Sequence, residues 1–173
     1  MDVFEVIKKR RSVRAYTSEE VSEEDVKRLI EAARWAPSAG NIQPWEFLVV
    51  TNAETKRRLS DAALHQTFIE EAPVVIVVCA DLARSSWGYG SRGTDLYCLQ
   101  DTAAATENIL LAAQALGLAT CWVGAFHEDA VAKAISTPRN VRPVAIVPVG
   151  YPAEKPRVPP RRSMGEIVHY ERF

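Results

Sequence analysis

Residues 73–79 read Pro73-Val74-Val75-Ile76-Val77-Val78-Cys79, a near-continuous apolar run of strand length. Alternating polar and apolar residues would bury one face of a strand. A run that is apolar throughout predicts burial on both faces, with cover on either side of the sheet. Helices to supply that cover stand on both sides of the run. Residues 2–9 carry Val3, Val6 and Ile7 on one helical face. Ser22 caps the next helix with Asp25 three residues on, and Val26, Leu29, Ile30 and Ala33 form its apolar stripe. That helix ends at Trp35-Ala36-Pro37, because a proline pushes the preceding residue out of helical geometry. Residues 54–64 and 128–135 read as short helices, and residues 95–116 as the longest, stopped by Gly117. Six alanines crowd the long helix (Ala103, Ala104, Ala105, Ala112, Ala113, Ala115), which predicts close approach of neighbours and burial nearly all round. Residues 45–50, 121–123 and 144–149 are further strands, and residues 81–94, with Gly88, Gly90 and Gly93, read as irregular. Helices and strands interleave without strict β-α-β order, so the expectation is a layered α+β or α/β domain around one sheet.

The 173 residues suit one domain, 1–173, with core enough to need no disulfide or metal staple. A formal net charge of −1 opposes a general nucleic-acid binder, which carries a basic excess. No apolar run approaches the roughly 20 residues that span a bilayer, and residues 1–14 lack a signal core, so a cytoplasmic protein is expected. Cys79, Cys98 and Cys121 are widely spaced inside apolar stretches and read as buried thiols. His65, His127 and His169 are scattered, and no metal site is expected. Residues 151–173 form an extended C-terminal arm: Pro152, Pro156, Pro159 and Pro160, then Arg161-Arg162, then Met164, Ile167, Val168, Tyr170 and Phe173. Such an arm either exchanges with a partner chain or folds back on its own domain.

Three stretches could carry chemistry. In the extended segment Arg10-Arg11-Ser12-Val13-Arg14, residues two apart share a face, so Arg10, Ser12 and Arg14 project together. Two guanidinium forks and a hydroxyl suit a phosphate; the plain alternative is a solvated basic loop at a helix C-terminus. Pro37-Ser38-Ala39-Gly40-Asn41-Ile42-Gln43-Pro44-Trp45 fixes a loop that displays Ser38, Asn41 and Gln43. Carboxamides donate and accept, which suits a heterocycle edge; alternatively they satisfy the loop's own backbone. Gly88-Tyr89-Gly90-Ser91-Arg92-Gly93 matches G-x-G-x-x-G by letter, but it does not turn directly from a strand into a helix. The acid at the expected distance, Glu107, falls inside the long helix, so a loop bordering a pocket is the better reading. There is no G-x-S-x-G and no evident acid, base or nucleophile, which fits a cofactor that carries the chemistry itself.

Together, Arg10-Arg11-Ser12-Val13-Arg14, Ala33-x-x-Ala36-Pro37-Ser38-Ala39-Gly40-Asn41-x-Gln43-Pro44-Trp45, Asn108-x-Leu110-Leu111-Ala112-Ala113-x-Ala115-Leu116-Gly117 and Val149-Gly150-Tyr151-Pro152 resemble the FMN-dependent nitroreductase family in order and spacing. The resemblance covers essentially the whole chain and is to the compact members. It implies an α+β three-layer α-β-α sandwich with a mixed or antiparallel sheet, and an intertwined homodimer with arm exchange around two FMN sites. It also implies that Arg10, Ser12 and Arg14, with Arg11 beside them, hold the FMN phosphate and ribityl chain. Pro37, Ser38, Asn41 and Gln43 would reach the flavin from the partner subunit, and the backbone of Gly124 and Ala125 would lie near its reactive edge. Arg161 or Arg162 would complete the clamp, with Arg157 a third contender. Many larger relatives carry an acid where Val123 stands.

The activity so implied is an NAD(P)H oxidoreductase in which NADH or NADPH reduces FMN and leaves. A nitroaromatic, quinone or flavin acceptor then takes its place. A contrasting reading of the same arginines is a non-catalytic module that binds a phosphorylated ligand.

Overall fold

The computed structural model describes residues 2–173. In chain order the elements are α1 (Val3–Lys9), α2 (Glu23–Arg34), a 3-10 turn (Ala39–Asn41), β1 (Trp45–Val50), α3 (Ala53–Ala62), α4 (Phe68–Glu71) and β2 (Val74–Asp81). There follow α5 (Leu82–Arg92), a π turn (Gly93–Tyr97), α6 (Cys98–Ala115), β3 (Ala119–Thr120), α7 (Glu128–Ile135), β4 (Val141–Gly150) and α8 (Met164–Ile167).

The four strands form one antiparallel sheet in the order β1-β2-β4-β3. As its composition predicts, β2 lies inside the sheet and is buried on both faces. Val74, Ile76 and Val78 pack with Leu29 and Ala33 of α2 and with Ala105, Ile109 and Ala113 of α6. Val75, Val77 and Cys79 face the other way, onto Leu59 of α3, Ile69 of α4 and Val131 of α7. One strand thus seeds both cores of a three-layer α-β-α sandwich, each buried valine or isoleucine contributing about 1.5–3 kcal/mol. Ser22 caps α2 by accepting from the Asp25 N–H. Only Gln100 and Ala115 of α6 are exposed, as the alanines predict. All three cysteines are buried, and burial pushes the Cys79 thiol up to about 12.

Two local expectations need correction. Residues 81–94 are not irregular: Asp81 caps α5 by accepting from the Arg84 N–H, and the helix runs to Arg92. Their glycines mark close contacts. A Cβ on Gly93 would stand 2.3 Å from the Ser85 carbonyl oxygen, and Gly90, at φ 53°, kinks the helix. Nor do residues 121–123 form a continuous strand. β3 ends at Thr120, and Val123 alone bridges to Ile146.

Beyond the Tyr16–Pro152 bridge the arm runs exposed. α8 carries a capping box between Ser163 and Glu166. Yet of the apolar residues near the arm's end, Met164, Ile167, Tyr170 and Phe173 are exposed and only Val168 is half-buried. Val3, Phe4 and Ile7 of α1 are exposed too. No helix among the described residues is long and apolar enough to cross a membrane.

Candidate functional site

Residues 10–14 run extended along the β3 edge of the sheet. Ser12 bridges Thr120 in parallel, and the Val13 N–H donates to the Thr120 carbonyl at 3.0 Å. Val13 points inward, and the Tyr16 hydroxyl fixes its carbonyl from 2.7 Å. Next to Thr120 in sequence, Cys121 is buried. Burial pushes its thiol up, while the Arg14 guanidinium, the Ser12 hydroxyl and the Arg10 guanidinium pull it partly back. The side chains of Arg10 and Arg14 end on different neighbours, Arg10 near Glu107 of α6 and Arg14 over the Phe68 ring of α4.

The four polar residues differ in their commitments. Arg10 is half-buried and lies 3.7 Å from Glu107. Arg11 turns back, donating to the Lys8 carbonyl at 2.6 Å and the Arg10 carbonyl at 2.7 Å, and so closes the end of α1. Arg14 is exposed, with its guanidinium 5.9 Å from the centre of the Phe68 ring. Its backbone N–H donates to Glu154 at 2.6 Å.

Past Cys121 the backbone lies open. Val123 exchanges two hydrogen bonds with Ile146, after which Gly124 and Ala125 stand exposed. A Cβ at Gly124 would meet nothing within 4 Å, and neither N–H has a backbone partner among the described residues. The Ala125 carbonyl accepts from Gln66 at 3.1 Å.

The Pro37–Pro44 loop has another character. Gly40, Asn41 and Gln43 all adopt left-handed backbone, with φ of 55°, 54° and 54°. For Gln43 this costs about 1–2 kcal/mol, and less for Asn41, whose short amide tolerates the conformation. Ser38 Oγ accepts from the Gln43 N–H at 3.0 Å, and the Gln43 carboxamide donates to Asn41 Oδ1 at 3.1 Å. Asp101 of α6 accepts from the Ala39 N–H at 3.0 Å, and Arg84 of α5 donates through Nε to the Ile42 carbonyl. Burial pushes the Asp101 carboxyl up, and the Ala39 N–H pulls it partly back. Pro37, Asn41 and Gln43 remain exposed.

One chain does not bring these two regions together. The loop enters β1 at one edge of the sheet, while residues 10–14 lie outside β3 at the other. Four strand spacings separate them by about 19 Å. They also lie at opposite ends of β2: Trp45 pairs with Ala80, whereas β4 residue Val149 pairs with both Val74 and Thr120. A cleft of about 320 Å³ is lined by Arg10, Arg11, Val13, Thr120, Glu154 and Lys155. Another of about 450 Å³ is lined by Gly40, Asn41, Ile42, Asp81, Arg84 and Trp87. Neither draws on the other region. Arg161 and Arg162 join neither cleft, and Arg162 donates instead to the Glu166 carbonyl at 2.7 Å.

Sequence reasoning missed Asp101, Arg84 and Glu154, whose partners lie 62, 42 and 140 positions away. Asp101 alone carried a signal. An acid inside a helix expected to be buried all round must find a partner.

The nitroreductase family model matches residues 7–69 and 62–151. A protein of Archaeoglobus fulgidus, provisionally named NADH dehydrogenase/NAD(P)H nitroreductase, is 38% identical over 158 residues, covering 89% of this chain and 87% of its own. The FMN reductase (NADPH) of Bacillus subtilis is 30% identical, over 91% of this chain and 70% of its own. Among solved structures, the NADPH:FMN oxidoreductase of Vibrio harveyi, complexed with NAD+, superposes with a TM-score of 0.91 at 25% identity. That match covers 99% of this chain and 77% of the other.

Proposed function

The chain belongs to the nitroreductase family, and from that premise we propose that it is an FMN-dependent NAD(P)H oxidoreductase that binds its cofactor between two copies of itself. The observation that carries the reading is the pairing of an open phosphate-type donor set on one corner of the sheet with a displayed carboxamide loop on the opposite corner. A single chain offers each half of a site and joins neither.

The donors fit FMN. Arg10, Ser12 and Arg14 lie on one extended segment beside β3 and would offer charge-assisted bonds to a phosphate. Gly124 and Ala125 are exposed, neither N–H has a backbone partner among the described residues, and Gly124 adds no side chain, which suits a planar ring. A second copy supplies Pro37, Ser38, Asn41 and Gln43, whose amides both donate and accept. Arg11 supports the end of α1 and does so through backbone carbonyls. The exposed arm crosses to the partner, seats its apolar residues there, and brings Arg161 or Arg162 to the clamp.

The chemistry that bound FMN supplies is hydride acceptance from NAD(P)H and electron delivery to a nitroaromatic, quinone or flavin acceptor. The residues of the chain would bind and orient FMN, and a donor and an acceptor that used one site in turn would give ping-pong kinetics.

The test is to mix the purified chain with FMN, pass it through gel filtration and record a visible spectrum. Flavin bands co-eluting with a dimer, and NAD(P)H oxidation that depends on FMN and an acceptor, are expected. A colourless protein that oxidises no NAD(P)H with FMN present would contradict the proposal.

A further inference from the structure

We propose that Asp101 is a positioning residue: its buried carboxylate, seconded by Arg84, holds the 38–43 turn in the shape that binds FMN. The inference rests on the reading of that turn as part of the cofactor site.

The turn is held at both ends by side chains from different helices. Asp101 of α6, only 8% exposed, takes the N–H of its first helical residue, Ala39, at 3.0 Å. That is the carboxylate's one hydrogen bond among the described residues. Arg84 of α5 takes the carbonyl of Ile42, the residue just after the turn. Ser38 closes the span onto the Gln43 N–H.

Helix α5 also packs tightly on the turn at two glycines, Gly88 of the helix and Gly40 of the turn. A Cβ on Gly88 would stand 2.2 Å from Ile42 Cδ1, and one on Gly40 would stand 2.7 Å from the Tyr89 hydroxyl. Left-handed Asn41 and Gln43 persist only where surrounding contacts over-determine them. A buried carboxylate on an alanine-rich helix is costly unless it is bonded. Both anomalies have one resolution: Asp101 restrains the backbone that displays the two carboxamides. Loss of the restraint lowers the fraction of chains whose turn is competent to bind, and apparent affinity falls by that fraction.

The experiment compares the full chain with Asp101→Leu, Asp101→Asn and Arg84→Ala. FMN is titrated in by quenching of its fluorescence, and amide hydrogen exchange is followed without FMN. Asp101→Leu is expected to weaken FMN about tenfold and to speed exchange across residues 38–43, leaving residues 98–115 as protected as before. Asp101→Asn keeps an oxygen acceptor and restores affinity to within about threefold. Arg84→Ala lies between them.

A folded Asp101→Leu chain with wild-type affinity and wild-type exchange over 38–43 overturns the proposal. So does uniform loosening of α6 and the sheet, which would make Asp101 a packing residue alone. Should Asp101→Leu fail to fold, Arg84→Ala decides, and unchanged exchange and affinity there count against the brace. A wild-type chain that ignores FMN overturns the cofactor reading, while exchange over 38–43 still reports separately on the brace.

Discussion

The arginine segment and the carboxamide loop reach the same kind of readiness by different physics. Residues 10–14 adopt extended backbone open to any residue and lean on β3 through the Val13–Thr120 bond. Arg10 and Arg14 are the charges proposed to meet the phosphate, and no residue of the segment has a positive φ. In the loop, the backbone itself is unusual: Gly40, Asn41 and Gln43 are left-handed, and helices α5 and α6 hold them there. Charge on a relaxed strand tolerates its surroundings. Shape on a strained turn depends on residues far away in sequence.

That contrast ranks the expected effects of substitution. Replacing both Arg10 and Arg14 with alanine removes the phosphate charges and should weaken FMN on the order of 100-fold. Stability without FMN should change by no more than about 1 kcal/mol, because the Arg10–Glu107 pair is partly exposed. Denaturant melts and fluorescence titration measure the two separately. A large loss of stability in the double variant would erase the distinction between the regions.

Gly40→Ala asks the opposite question. Its φ of 55° and the Tyr89 hydroxyl at 2.7 Å leave no easy place for a methyl group. About 1–2 kcal/mol of stability should be lost, with FMN affinity falling alongside. Affinity that falls without any loss of stability would mean the turn is not strained in the way described.

Salt separates the regions again. The Debye length shrinks from about 10 Å at 0.1 M to 3 Å at 1 M, so wild-type affinity should weaken severalfold over that range. The double arginine variant should show a shallower dependence, and Gly40→Ala should keep the wild-type slope. Smallest is Ser38→Ala, which removes the acceptor for the Gln43 N–H. One net hydrogen bond of about 1 kcal/mol predicts a roughly fivefold loss of affinity. A loss rivalling that of the arginine pair would reverse the ranking.

Legibility follows the same division. Strand β2 could be read as central because burial on both faces leaves a continuous apolar run, and α6 because alanine marks close packing. The alternation of Arg10, Ser12 and Arg14 is likewise local. Helix α5 was obscured because Gly88, Gly90 and Gly93 read as turn residues. Two of them instead make room for Ile42 and the Ser85 carbonyl, contacts that no local pattern encodes. Asp101 and Glu154 bond backbone groups 62 and 140 positions away, and such pairings exist only once the chain is folded. The left-handed conformation of Asn41 and Gln43 was hidden for the same reason, since it follows from its braces.

The most direct measurement is subunit complementation. One chain carries Arg10→Ala with Arg14→Ala, the other Asn41→Ala with Gln43→Ala, and each alone should bind FMN poorly. Mixed under conditions that exchange subunits, they should recover one tight FMN site per heterodimer, because one of its two seams then joins intact arginines to an intact loop. No recovery, with heterodimer formation verified, would mean that both regions serve the same cofactor from one chain, contradicting a site shared across the dimer.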